Sequence, residues 1–166
     1  MVSMIAIVIA IVTLMAHVVQ PPEPFEHLEG KTLFLAGSIE MGTAERWQQS
    51  VISALVEQDA VILNPRRDEW DASWEQRIDN PVFREQVEWE LSGLERADVI
   101  ALYLAPQTKS PISLLELGLH ARQDKLVVCC PEGFWRKGNV DIVCARYGIE
   151  TAASLQELTA AVRRKL

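Results

Sequence analysis

The sequence predicts a three-layer α/β domain built on a mostly parallel sheet of five strands. Short apolar runs alternate along the chain with segments of helical periodicity, as expected when each strand is joined to the next by a helix. The runs are too uniformly apolar to have one wet face, so helices should cover both faces of the sheet. This pattern is typical of Rossmann-like and flavodoxin-like domains, in which the ligand lies beyond the carboxyl ends of the strands.

Each strand is predicted from an apolar run and from the residues that end it. The first run ends at Gly37, the second is closed by Asn64-Pro65 and the fourth by Pro131. Glycine and proline commonly end regular structure. The five strands are predicted at residues 32–36, 61–63, 99–104, 126–130 and near 149.

Helices are predicted where apolar residues recur three or four positions apart, as Trp47, Val51 and Leu55 do in the first of them. The third helix should begin at Pro111, because Ser110 is a good N-cap and proline suits the first helical position. The helices are predicted at residues 43–58, 83–97, 111–121, 140–146 and from 154 onward.

The chain has 166 residues, enough for one domain with a sizeable core, which is predicted to span residues 21–166. Its net charge of -7 and scattered basic residues argue against nucleic-acid binding, which normally requires a basic face. The cysteines Cys129, Cys130 and Cys144 form no ligand pattern with histidine, and the first two lie in an apolar run. They indicate reduced core residues of a cytoplasmic protein without a metal site, and no cofactor is expected.

Residues 1–20 are predicted to form an apolar extension outside that domain. The uncharged run from Met4 to Ala16 is shorter than the roughly 20 residues of a membrane-spanning helix. No Lys or Arg precedes Lys31, so the positive region of a signal peptide is missing. Three interpretations stay open: a weak membrane anchor, a buried strand or helix, and a start codon placed too early. We favour the third, with Met15 as the natural start.

Glu116 is the first candidate for chemistry. Ile112, Leu115 and Leu119 form an apolar stripe on the third predicted helix, and Glu116 falls on or beside it. A carboxylate aimed at a core face is costly unless it is paired, hydrogen-bonded or lining a cavity. His120 lies one turn further along, either as a partly buried polar residue or as part of a site.

Glu90 is the second candidate, because it shares an apolar helix face with Val87 and Leu91. A salt bridge to Arg84 or Arg96 is the structural alternative. Two helices that each aim a glutamate at the ligand edge of the sheet favour a paired-carboxylate site. Such a pair suits glycosidic chemistry, since it can supply a nucleophile and an acid across one bond.

Two loops at the carboxyl ends of predicted strands could bind a ligand. Gly37 and Gly42 have G-x4-G spacing, but the Lys-Ser/Thr of a Walker loop is missing and the pattern is not G-x-G-x-x-G. The loop with Ser38 is therefore either a tight turn or a backbone cradle for a sugar or phosphate. Residues 66–82 form a long polar loop, and such loops are usually functional or disordered. Trp70 could stack on a flat base there, although packing is the commoner use of tryptophan.

Four short motifs together resemble the nucleoside 2-deoxyribosyltransferase family. They are Phe34-Leu35-Ala36-Gly37-Ser38, the acidic Glu90 helix, Ala97-Asp98-Val99-Ile100 and Leu115-Glu116-Leu117-Gly118, within about residues 32–130. In that family a glutamate at the position of Glu116 attacks the anomeric carbon of a 2-deoxynucleoside. The family also has an aspartate at the position of Asp98, and an acidic residue eight positions before it acts on the nucleobase. Glu90 stands at that position here.

The chain departs from the family pattern at several positions. The tyrosine of the first strand that supports the nucleophile is Phe34 here, and an aspartate six residues before the nucleophile is Ser110. The C-terminal asparagine, which in the family often reaches a neighbouring subunit's site, is assigned to Asn139. Together with Asn64-Pro65-Arg66-Arg67, these departures resemble a divergent branch.

The resemblance implies cleavage of the N-glycosidic bond of a nucleoside or nucleotide through a glutamate glycosyl-enzyme, with transfer to another base. The alternatives are hydrolysis of a nucleoside 5′-monophosphate and a catalytically silent nucleotide-binding sensor. A homo-oligomer with a small-molecule partner is implied as well. Asp98 keeps a structural alternative as a capping or pairing residue. The expected substrate contacts are Phe34, Gly37, Ser38, Asn64, Arg66, Trp70, Asp98, Ser110, His120 and Asn139.

Overall fold

The computed structural model describes residues 15–40, 44–67 and 73–166, and it has the three-layer α/β architecture that the sequence predicts. Within these ranges the sheet has six strands rather than five, and every neighbouring pair is parallel. The order across the sheet is β1-β3-β2-β4-β5-β6. The strands are β1 (His17–Val19), β2 (Lys31–Gly37), β3 (Ala60–Leu63), β4 (Val99–Tyr103), β5 (Leu126–Cys129) and β6 (Glu150–Ala152).

The additional strand comes from the predicted N-terminal extension. Val18 of β1 pairs with Ile62 of β3, and Val19 is fully buried. The sheet therefore begins before the predicted domain boundary at residue 21. Residues 1–14, to which the anchor and early-start interpretations apply, lie outside the described residues.

Five helices are described, and their bounds differ from the sequence prediction mainly at the start. In α2 the side chain of Asn80 accepts hydrogen bonds from the backbone N–H groups of Val82 and Phe83, so the helix begins at Pro81. No helix in the described ranges is long and apolar enough to cross a membrane. The helices are α1 (Trp47–Leu55), α2 (Pro81–Arg96), α3 (Pro111–His120), α4 (Lys137–Tyr147) and α5 (Leu155–Lys165).

The two faces of the sheet are covered by different helices. On one face Trp47 of α1 and Leu158 of α5 pack in the same cluster as Leu35. On the other face α2, α3 and α4 form the second cluster, where Leu117 packs with Phe34. Both faces of each central strand are therefore dry, which explains the uniformly apolar runs. The three cysteines are buried and free, as predicted.

The apolar stripe on α3 is exposed rather than packed into the core as predicted. Ile112, Leu115 and Leu119 are 59%, 59% and 53% exposed, whereas Glu116 and Leu117 are buried. Helical periodicity finds a stripe but does not say which face the rest of the fold covers. In α3 the outward residues form the rim of a cavity, and Glu116 points into it.

The strand order reverses at β2, which pairs with β3 on one side and with β4 on the other. The connection through α1 covers one face and the connection through α2 covers the other. Such a reversal opens a crevice at the carboxyl ends of the strands, the usual ligand site of this architecture. Gly37, at the end of β2, lies opposite Tyr103 at the end of β4 beside this crevice.

Candidate active site

A cavity of about 430 Å³ lies at the carboxyl end of β2, between α2 and α3. Its walls are mostly apolar, with contributions from Phe83, Val87 and Leu94 of α2 and from Leu115 of α3. A small number of polar groups converge on it, Glu90 and Glu116 among them. An apolar pocket of this size with a few charged groups is the usual form of a small-molecule site.

Glu116 is the more deeply buried of the two carboxyls, with 9% of its surface exposed. Burial raises the pKa of Glu116 to about 8, and the nearby charge of Glu90 adds to the rise. Within the described ranges no hydrogen-bond donor reaches its side chain, so nothing there stabilises the ionised form. The carboxyl that the sequence singled out therefore lies in an apolar cavity without a partner of its own.

Glu90 enters the same cavity from α2. Burial raises its pKa, while a hydrogen bond from Gln86 and the positive charge of Arg67 act in the opposite direction. The predicted structural alternative is wrong, since Arg84 pairs with Glu88 at 3.5 Å and Arg96 donates to the carbonyl of Leu28. The charge of Glu90 raises the pKa of Glu116, and two carboxyls coupled in this way tend to share one proton.

Gln86 and Arg67 belong to the site, and the sequence analysis missed both. The Gln86 side chain donates from Nε2 to Glu90 Oε1 at 2.8 Å and to the Pro65 carbonyl at 3.1 Å. Its Oε1 accepts a hydrogen bond of 2.5 Å from Arg67 Nε. The spacing of Gln86 and Glu90, one helical turn apart, could have indicated the first contact. Nothing in the sequence indicates the second.

A polar cluster at the start of α3 forms another wall of the cavity. Ser38 Oγ lies 2.6 Å from Ser110 Oγ and 2.8 Å from Thr108 Oγ1, and it accepts the backbone N–H of Ala105 at 2.9 Å. Both predicted serines are therefore present, but their hydroxyls bond within the protein. Ser110 borders the cavity, whereas Ser38 is fully buried.

Ser110 does not cap α3 with its side chain as predicted. Its φ of 43° is left-handed, and its hydroxyl points into the polar cluster. Glu40 instead fixes the segment just before the helix, since its carboxylate accepts the backbone N–H groups of Lys109 at 2.8 Å and Ser110 at 2.6 Å. A carboxylate at this end also suits the helix dipole. Glu40 borders the cavity and was missed because it lies far away in sequence.

Gly37, a predicted substrate contact, borders the cavity. A Cβ atom there would lie 2.2 Å from the carbonyl oxygen of Tyr103, and φ is 140°. The residue must be glycine because the ends of β2 and β4 come this close. Residues 41–43, and with them most of the second half of the predicted glycine loop, lie outside the described residues.

Arg66 also borders the cavity, but its guanidinium binds protein groups. It donates to the carbonyls of Ala44 at 2.9 Å and Glu45 at 2.8 Å. Asn64 supports this arrangement by accepting the backbone N–H of Arg66 at 3.2 Å. Both residues thus help to hold the loops of the crevice in place, and Asn64, unlike Arg66, does not border the cavity.

Phe34 and His120 are core residues beside the site. Phe34 is fully buried, and its ring centroid lies 6.2 Å from that of Trp89. His120 is buried with Nδ1 at 2.7 Å from Gln123 Oε1. Neither side chain borders the cavity. The tyrosine-to-phenylalanine departure at Phe34 therefore falls in a dry core position.

The remaining predicted contacts lie elsewhere. Asp98 stands at the amino end of β4, the opposite edge of the sheet, where it accepts the Thr32 N–H at 2.8 Å. Its structural alternative is the correct one. Asn139 is exposed on α4 and borders a separate groove between α3 and α4. Trp70 lies outside the described residues.

The described residues contain no group of three or more His, Cys, Asp or Glu side chains that could hold a metal ion. In the apolar surroundings of the cavity, the carboxyls Glu90 and Glu116 can exchange a proton with a ligand and stabilise a cationic transition state.

Comparison with known proteins gives a consistent result. Residues 30–134 match the family described as nucleoside 2-deoxyribosyltransferase like, a span that includes the whole cavity. No curated protein matches the chain. A crystal structure of a conserved protein from Enterococcus faecalis V583 has a similar fold, with a TM-score of 0.59 and 10% identity over 82% of this chain and 99% of that one.

Proposed function

The chain belongs to the nucleoside 2-deoxyribosyltransferase-like family, and from this premise we propose that it cleaves the N-glycosidic bond of a deoxynucleoside and transfers the sugar to another base. The observation that carries the proposal is the pair of carboxyls in one apolar cavity at the switch point of the sheet, with Glu116 buried and Glu90 half-buried. Two carboxyls that face one substrate can divide the roles of nucleophile and acid.

In the first step the Glu116 carboxylate attacks the anomeric carbon of the sugar. The bond from that carbon to the base nitrogen breaks through an oxocarbenium-like transition state, and its electron pair leaves with the base. Glu90 supplies the proton that the departing base takes up. In the second step a new base attacks the same carbon, the ester to Glu116 breaks, and Glu90 takes back a proton.

The reactive form has Glu116 ionised and Glu90 protonated. A raised pKa suits Glu90 for this role, because an acid must hold its proton near neutral pH. The Gln86 amide donates to Glu90 Oε1, which leaves Oε2 as the oxygen that carries the proton. The developing positive charge of the sugar then favours ionisation of Glu116, whose pKa in the empty cavity is about 8.

A second candidate is a nucleotide-binding sensor without turnover. It is favoured by the Glu116 side chain, which receives no hydrogen bond from any described residue. Such a module would use the same cavity for binding alone. Hydrolysis, with water in place of the acceptor base, is the third outcome that a single experiment separates.

The test is incubation with 2′-deoxynucleosides, with and without a free acceptor base, followed by chromatography of the products. Exchanged nucleoside indicates a transferase and free sugar indicates a hydrolase. Binding without turnover favours the sensor. We expect exchange, and we expect Glu116→Ala to lower its rate by roughly 10³-fold or more because the nucleophile is gone.

The matched control is Glu88→Ala, which removes a carboxylate from the exposed side of α2. It should retain the activity of the unmodified protein. If Glu116→Ala is as active as this control, Glu116 is not the nucleophile.

A further inference from the structure

The Gln86 side chain connects the acid of the proposed mechanism to Arg67. It is buried on α2, one helical turn before Glu90. Its Nε2 donates to Glu90 Oε1 at 2.8 Å and to the Pro65 carbonyl at 3.1 Å, so both amide protons are in use. Its Oε1 accepts the Nε–H of Arg67 at 2.5 Å. Both ends of the Gln86 amide therefore have partners.

These three contacts allow only one orientation of the Gln86 amide. Its NH₂ group faces two acceptors, and its oxygen faces a guanidinium, which can only donate. A reversed amide would set its NH₂ group against Arg67 and its oxygen against the Pro65 carbonyl. Linked hydrogen bonds also polarise one another, so the contact from Arg67 strengthens the donation to Glu90. Arg67 thus acts on Glu90 through Gln86.

The segment that carries Arg67 is itself held in place. Gln20 Nε2 donates to the carbonyl of Arg66 at 2.6 Å, which fixes the peptide that leads into Arg67. The guanidinium of Arg67 lies over the Trp74 ring, with its carbon 5.4 Å from the ring centre. The position of the donor that orients Gln86 is therefore set from both the backbone and the side chain.

Burial and these two residues act on Glu90 in opposite directions. Burial raises the pKa of the Glu90 carboxyl, whereas the hydrogen bond from Gln86 and the positive charge of Arg67 lower it. A general acid must hold its proton until the reaction and then release it, so its pKa should not lie far above the working pH. Arg67 and Gln86 therefore limit the effect of burial on the acid.

The other charged side chains that border the cavity come from three segments of the described chain. Glu40 follows β2, Arg66 follows β3, and Glu116 lies on α3. Glu40 and Arg66 are hydrogen-bonded to backbone groups. The charges of Glu116 and Glu90 are coupled, because Glu90 raises the pKa of Glu116. The effect of Arg67 on Glu90 is therefore best measured in a protein without the Glu116 charge.

We propose that Arg67 and Gln86 are the positioning residues of the acid: Arg67 fixes the Gln86 amide so that its NH₂ group holds Oε1 of Glu90, and Oε2 carries the proton. This inference rests on the proposed function. When the base departs, the proton moves from Glu90 Oε2 to the base, and the carboxylate that is left already accepts a hydrogen bond at Oε1. Neither Arg67 nor Gln86 has to contact the substrate.

The test is a double-mutant cycle on the pKa of Glu90 in the Glu116→Gln background. Carbon-13 NMR of labelled glutamate carboxyls follows the titration, and Glu90→Gln identifies the signal. With Gln86 present, Arg67→Met removes both a positive charge and the hold on the amide; in Gln86→Met it removes the charge alone. We expect Arg67→Met to raise the pKa of Glu90 more when Gln86 is present. Equal shifts in the two backgrounds, or no shift, would overturn the inference.

Turnover is the second readout, measured with Glu116 intact. Arg67→Met should lower kcat for base exchange by about 10-fold or more and leave KM within about 3-fold, because a misplaced acid slows the chemical step rather than binding. Arg67→Lys keeps a positive charge and a donor, so it should recover part of the loss. An unchanged kcat in Arg67→Met, in a protein that exchanges bases, would also overturn the inference.

Arg84→Met is the matched control, because Arg84 lies on the exposed side of α2 and pairs with Glu88. It should change neither the pKa of Glu90 nor kcat. Failure of the proposed function is recognised separately, since the titration needs no substrate. If no nucleoside is cleaved, unequal shifts in the cycle still support the positioning of Glu90 by Arg67 through Gln86, and equal shifts overturn it.

Discussion

Two groups of polar residues lie at or beside the cavity, and they differ in how many of their hydrogen-bonding atoms have a partner. In the serine cluster (Ser38, Thr108 and Ser110) every hydroxyl has a partner within hydrogen-bond distance. Among the charged residues of the cavity, Glu116 receives no hydrogen bond from the described residues. Arg67 Nη2 also has no hydrogen-bond partner among them.

Whether its polar atoms have hydrogen-bond partners indicates whether a buried group supports the fold or is left open for a ligand. A satisfied buried network makes the local fold unique and contributes stability, whereas an unsatisfied buried group lowers stability. Groups of the second kind are retained where a ligand supplies the missing partner, at the expense of stability in the empty state. The comparison therefore predicts opposite effects when one residue of each region is replaced.

The largest effect is expected for Glu116→Gln, which should stabilise the protein at high pH. The pKa of Glu116 is raised from 4.5 to about 8 in the folded state. Below pH 4.5 the carboxyl is neutral in both states. Between pH 4.5 and 8 the unfolded chain loses this proton and the folded chain keeps it, so the free energy of unfolding falls. Glutamine does not ionise, so the variant keeps the free energy of unfolding that the unmodified protein loses. The difference should reach a few kcal/mol at pH 8, because each tenfold change in the ionisation constant corresponds to about 1.4 kcal/mol.

Urea denaturation at several pH values between 4 and 9 measures this gain. Glu88→Gln, which changes an exposed carboxylate on α2, should show no comparable trend. A stability difference between Glu116→Gln and the unmodified protein that does not grow with pH would show that Glu116 is solvated in the folded state.

Ser38→Ala should change the free energy of unfolding in the opposite direction, and by a smaller amount. It removes the acceptor of the Ala105 N–H and the partner of the Ser110 hydroxyl. Leaving these buried groups unpaired should lower the free energy of unfolding by about 1–3 kcal/mol, independently of pH. The same urea experiment measures it, with the exposed Ser50→Ala on α1 expected within about 0.5 kcal/mol of the unmodified protein. If Ser38→Ala leaves the free energy of unfolding unchanged, the serine cluster does not stabilise the fold and the contrast with the charged residues of the cavity is wrong.

The sequence predicted the fold well because strands and helices leave local patterns, such as the apolar runs that became β2 and β4. It identified Glu116 as a buried carboxyl but put the stripe of Ile112 and Leu115 on the wrong face. Periodicity is a property of one helix, whereas the covered face depends on how that helix packs on its neighbours.

The polar partners of the site were harder to predict. Arg67 contacts Gln86 across 19 positions, and Glu40 reaches the N-terminus of α3 across 70. No local pattern encodes contacts between such distant positions. Asp98 and Asn139 were carried over from a resemblance that fixes sequence positions but not the end of the sheet or the groove to which they belong.

The smallest effect concerns the coupling of the two carboxyls. The charge of Glu90 is the second cause, after burial, of the high pKa of Glu116. Glu90→Gln removes that charge and should lower the pKa of Glu116 from about 8 toward its ordinary value without reaching it, because burial remains. Carbon-13 NMR of labelled glutamate carboxyls, assigned with Glu116→Gln, follows the titration, and Glu88→Gln should leave it unchanged. An unshifted Glu116 in Glu90→Gln would mean that the two carboxyls titrate independently, and the division into nucleophile and acid would lose its electrostatic basis.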